Sequence, residues 1–69
     1  MQVTAVLTPA LEGGFVAYNP ETGTTSEGDT IEEALANLRE AVSLYLEEFP
    51  MTFGGAPLVT TFDIEARAA

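Results

Sequence analysis

The sequence contains no cysteine, histidine, lysine or tryptophan. Without cysteine or histidine there are no disulfides, no thiolate or imidazole metal ligands, no Ser–His pair and no cysteine nucleophile. Only carboxylate, hydroxyl and phenol groups remain for any chemistry. Positive charge is nearly absent as well: two basic residues stand against eleven acidic ones, a net charge of −9. Such a field repels phosphate, so direct nucleic-acid binding loses its main source of affinity, while a basic partner is attracted and steered. Long apolar runs are also missing. None approaches the roughly 18 residues of a membrane span, and Met1-Gln2-Val3-Thr4 lacks the basic start and apolar run of a secretory signal. No membrane association is expected, and the expected location is cytoplasmic.

What is present argues for a folded unit. The hydrophobic fraction is 46% and the mean hydropathy +0.18, too apolar for a disordered tail despite the charge. Sixty-nine residues make one small domain, residues 1–69, with a correspondingly small core. Residues 2–7 alternate, placing Val3, Ala5 and Leu7 on one face and Gln2, Thr4 and Val6 on the other, which predicts a first strand that Pro9 stops. Gly13-Gly14 allows a turn into a second strand over Phe15-Val16-Ala17-Tyr18. The turn formers Asn19-Pro20-Glu21-Thr22-Gly23 then precede a short polar third strand at Thr24-Thr25-Ser26.

Thr30-Ile31-Glu32-Glu33 reads as a capping box, with Asp29, Glu32 and Glu33 at the positive end of the helix dipole. Ile31, Leu35, Leu38, Val42, Tyr45 and Phe49, widened by Ala34 and Leu46, form one helical stripe, and Pro50 ends a helix predicted over residues 30–49. Leu44 falls among the solvated positions. After a loop at residues 50–57, residues 58–65 alternate again, with Leu58, Thr60, Phe62 and Ile64 on one face and Val59, Thr61, Asp63 and Glu65 on the other. A fourth strand is therefore expected, followed by fraying over residues 66–69. The expected class is α+β, in the order β-β-β-α-β, with one helix covering one face of a small, mostly antiparallel sheet.

Metal chemistry would have to rest on carboxylates. Asp29, Glu32 and Glu33 suit a helix cap, Glu40 and Glu47 a wet helix face, and Asp63 and Glu65 a strand edge guarded against aggregation. Gly13-Gly14 and Gly54-Gly55 are turns and not phosphate loops, since neither leads into a helix with a lysine at hand. Phe15, Tyr18 and Tyr45 lack the positive groove that a base-stacking platform needs. No cofactor is implied.

Three runs together resemble the HicB-like antitoxin family: Gly13-Gly14-Phe15-Val16-Ala17-Tyr18-Asn19-Pro20-Glu21, Ser26-Glu27-Gly28-Asp29-Thr30-Ile31-Glu32-Glu33-Ala34 and Ala41-Val42-Ser43-Leu44-Tyr45-Leu46. The resemblance spans residues 1–49. It implies a truncated ribonuclease H-like fold in which the last strand runs parallel to the first. It also implies neutralisation, by occlusion, of a small basic HicA-like toxin that cleaves messenger RNA, with Tyr18, Glu21, Glu27 and Asp29 as candidate contacts. The turn at Thr22-Gly23-Thr24 departs from the family's L-P-G-C pattern, being one residue shorter and without its cysteine. Residues 1–69 include no ribbon-helix-helix or helix-turn-helix part, so operator binding is not expected to carry over.

Two other functions stay open. One is a free-standing interaction module with a different partner. The other is a metal-dependent nuclease, which the fold's relatives build around an acidic residue on the first strand; residues 2–7 contain none, so a non-enzyme is expected. Val6, Val16 and Tyr18, with Val59 on the fourth strand, would form an apolar strip on the face that the helix leaves open. Together with Leu44 this predicts at least a homodimer.

Overall fold

The computed structural model describes residues 1–66. Its elements are β1 (Val6–Pro9), β2 (Phe15–Asn19), β3 (Thr24–Gly28) and α1 (Ile31–Glu48). The strands form an antiparallel sheet in the order β1-β2-β3. The α+β class, the meander and the single helix are therefore as expected. Among the described residues, no helix is long and apolar enough to cross a membrane.

The first strand lies further along than its alternation suggests. Val6 pairs with Tyr18, one residue short of the end of β2, and Asn19 then leads into the turn. Residues 2–5 thus have no ladder partner, and side chains hold Thr4 instead. Pro9 is the last residue of β1 rather than a stop beyond it, which an edge strand tolerates because one side of it has no ladder to feed. The β1–β2 reversal is tied by the Ala10 N–H to the Gly14 carbonyl at 3.0 Å and the Gly13 N–H to the Ala10 carbonyl at 3.1 Å.

Thr30 caps the helix. Its extended backbone (φ −125°, ψ 165°) lets the hydroxyl accept from the Glu33 N–H at 3.1 Å. At the other end the Phe49 N–H donates to the Tyr45 carbonyl at 2.8 Å, and the two rings lie 5.1 Å apart. Pro50 follows directly. The helix crosses β2 and β3 closely because small residues line the approach: Ala17 and Ala34 are fully buried, and a Cβ at Gly28 would sit 2.5 Å from the Ala34 backbone nitrogen. Leu38 and Val42 complete the buried core, with Leu7, Phe15 and Leu46 packed against it.

The fourth strand is not formed. Residues 58–65 make no ladder, and Leu58, Phe62 and Ile64 are 91%, 82% and 77% exposed. Period-2 alternation records which side chains share a face, but a strand also needs a neighbour to bond with. The closing β of the expected order, and the parallel pairing with β1 that the ribonuclease H-like resemblance implies, are accordingly absent from the described residues. One consequence is visible on α1: Ile31, Leu35 and Phe49 belong to the apolar stripe yet remain more than a third exposed, because a three-stranded sheet is too narrow to cover them. The expected fraying at residues 67–69 lies outside the described residues.

Candidate partner interface

The turn after β2 is built around one buried amide. Asn19 has no exposed surface, so each of its polar atoms must find a partner within the protein. Its Nδ2 donates to the Thr4 carbonyl and to Glu21 Oε1, both at 2.8 Å, while its Oδ1 accepts from the Thr22 N–H at 2.9 Å and the Thr22 hydroxyl at 2.6 Å. Pro20 presets the turn, and the Gly23 N–H closes it on the Asn19 carbonyl at 2.8 Å. Glu21 reaches in the same direction. Its carboxylate accepts from the Thr4 N–H at 3.0 and 3.1 Å and from the Thr4 hydroxyl at 2.9 Å. Desolvation pushes this carboxyl up, but the Thr4 and Asn19 donors, with its own backbone N–H, outweigh it and hold the group below its ordinary value.

Alternation across the sheet register builds the neighbouring surface. Leu7, Ala17 and Ser26 form one row on the helix side; Val6, Tyr18 and Thr25 form a row on the open side, beside a second row of Thr8, Val16 and Glu27. Val6, Val16 and Tyr18 thus share the face that α1 does not cover. Tyr18 is 42% exposed there. Glu27 stands at the β3 end of the Val16 row, and Asp29 follows β3 immediately. Both border a shallow depression together with Glu12, Glu33, Phe15 and Val16.

Of the residues singled out in the sequence, the structure brings Val6, Val16, Tyr18 and Glu27 onto one face, with Asp29 at its rim. Glu21 is placed apart, its oxygens occupied by donors from this chain. Leu44 is exposed in the helical layer, on the far side of the sheet from Tyr18. Val59 lies in the unpaired segment rather than on a strand beside Val6. No sequence pattern marks Thr4, Asn19 and Thr22 as one cluster. Asn-Pro-Glu signalled the turn, but nothing local signalled that Thr4 closes it.

A three-stranded antiparallel meander followed by one covering helix defines the class: a small α+β protein, with Val6, Val16 and Tyr18 beside Thr8, Thr25 and Glu27 on the sheet face that the helix leaves open. No family model matches the chain, and no solved structure matches it. It is 42% identical over 48 residues to the UPF0150 protein ssl0738 of Synechocystis sp., an alignment covering 68% of this chain and 67% of that protein. It is 47% identical over 45 residues to the UPF0150 protein ssr1765 of the same organism, covering 64% of this chain and 57% of the relative. The chain belongs to the UPF0150 family. It spans little more than half the length of ssr1765 and two thirds of ssl0738.

Proposed function

We propose that this chain is a HicB-like antitoxin module that binds and occludes a small, basic, HicA-like messenger-RNA-cleaving toxin in the cytoplasm. The observation that carries the reading is the coincidence of a net charge of −9 with an open sheet face on which Tyr18, Val6 and Val16 adjoin the acidic rim of Glu27 and Asp29. Apolar side chains framed by charge of one sign suit a partner with an apolar patch ringed by the opposite sign. UPF0150 membership and the three motif runs support the same assignment. In this reading Glu21 shapes the turn beside Tyr18, while Glu27 and Asp29 meet the toxin's basic residues. The action is occlusion rather than catalysis: β1 carries no carboxylate on which a two-metal nuclease site could be built.

Mixing the purified chain with a HicA-like toxin tests this. A stoichiometric complex should form, its association slowing as salt rises and the Debye length shrinks to about 8 Å at 0.15 M. Glu27→Lys and Asp29→Lys should slow association further, and Tyr18→Ala should mainly hasten dissociation. No complex, or an association rate indifferent to salt, refutes the reading.

A further inference from the structure

Residues 1–5 are fastened to the rest of the fold at a single point. The ladder between β1 and β2 begins at the Val6–Tyr18 pair, and among the described residues the hydrogen bonds that hold residues 1–5 all pass through Thr4. Met1, Gln2, Val3 and Ala5 are exposed, and only Thr4 is half-buried. Val3 and Ala5 border Leu35, Leu38 and Val42 on the flank of α1, but few and exposed apolar contacts leave a segment free to open locally.

The fastening is matched to a charged carboxylate. Every group that meets Glu21 is a donor: the Thr4 N–H at 3.0 Å from Oε1 and 3.1 Å from Oε2, the Thr4 hydroxyl at 2.9 Å from Oε2, and Asn19 Nδ2 at 2.8 Å from Oε1. Asn19 cannot turn over to accept instead. Its Oδ1 is engaged by the Thr22 N–H and hydroxyl, and its other Nδ2 hydrogen by the Thr4 carbonyl. A protonated Glu21 needs an acceptor, and of these groups only the Thr4 hydroxyl can rotate to supply one. Hydrogen bonds to an ionised group are about twice as strong as neutral ones, so neutralisation weakens the whole set together. No charged side chain figures among the influences on this carboxyl: desolvation pushes it up, and the Thr4, Asn19 and Glu21 backbone and side-chain donors hold it below its ordinary value.

We propose that residues 1–5 are a strap locked by the ionised Glu21 carboxylate, and that neutralising this one group frees the strap while the β1–β3 sheet and α1 stay folded. The rest of the fold does not depend on the lock. The buried core, Ala17, Ala34, Leu38 and Val42, takes no residue from the strap, and the helix start is held separately by Thr30 and Glu33. A carboxylate that binds its donors best when charged locks the strap fully above its ordinary value and releases it as pH falls through the lower, folded-state one. Release bares the flank of α1 beside Leu38 and Val42. Val6 onward stays in the ladder, so the open sheet face, and the toxin contact proposed for it, stand or fall separately from the strap.

Amide hydrogen exchange of the full chain, followed by NMR across pH, tests this. Protection of the Thr4 N–H, taken relative to an unstructured chain at the same pH, should fall about tenfold or more as Glu21 titrates. The Thr4 amide shift should follow the same curve, while protection within α1 and the helical circular dichroism hold steady. Glu21→Gln, which offers a neutral group of the same shape, should show the lowered Thr4 protection already at neutral pH with α1 intact. Thr4 protection that persists through acidification, that survives in Glu21→Gln, or that is lost only together with the protection of α1 overturns the proposal.

Discussion

Replacing Asn19 with alanine removes four hydrogen bonds at one stroke and leaves their partners behind. Two of those bonds hold backbone groups, the Thr4 carbonyl and the Thr22 N–H, each worth about 0.5–1.5 kcal/mol net, whereas a buried group left without a partner costs about 1–3 kcal/mol. Thr4 and Thr22 are only half-buried, so water reaches part of what is exposed and the loss falls near the lower sum, about 2–4 kcal/mol. That is a large share of the whole. At about 0.05–0.15 kcal/mol per residue a chain of this size has roughly 3–10 kcal/mol in total. Each kcal/mol shifts the midpoint of so small a domain by about 4–8 °C, so Asn19→Ala should melt about 8–32 °C below the parent, read by thermal circular dichroism at the helix band. Asn19→Asp keeps the acceptor for Thr22 but sets a second carboxylate against Glu21, and it should recover part of its loss on acidification. A stability change under about 0.5 kcal/mol in Asn19→Ala would refute the clamp.

Glu21 has a folded-state pKa below its ordinary value of 4.5, so its ionised form stabilises the fold above that value, and the contribution fades as pH falls through the lower, folded-state pKa. The stability gap between the parent and Glu21→Gln should therefore be widest near neutrality and close in acid, as measured by denaturant titration across pH. Gly28→Ala drives a Cβ into the backbone of Ala34 and Glu33, at 2.5 and 2.8 Å, and should cost about 1–3 kcal/mol in urea unfolding. Thr30→Ala loses the cap on Glu33 and should cost about 1 kcal/mol in the same assay. The purified chain should not cleave RNA or RNA–DNA hybrids with Mg²⁺ or Mn²⁺; cleavage lost in Asp63→Asn would reverse the non-catalytic reading.

The parts of this protein that the sequence alone determined are those whose causes lie within a few residues. Thr30 beside Glu33 starts a helix, Pro50 forbids its continuation, Gly13-Gly14 permits a reversal, and the absence of cysteine, histidine and lysine excludes whole chemistries before any fold is known. The tertiary structure decided where partners come from far along the chain. Asn19 reads locally as a turn former; its complete burial follows from Thr4, fifteen residues earlier, folding onto it. Glu21 reads as a surface carboxylate and becomes a clamp for the same reason. In residues 2–7 and 58–65 alternation told which side chains share a face, but ladder bonds belong to pairs of strands. Thus β1 begins only where β2 can answer it, and the last apolar arm, patterned as a strand, has no neighbour in its own sheet.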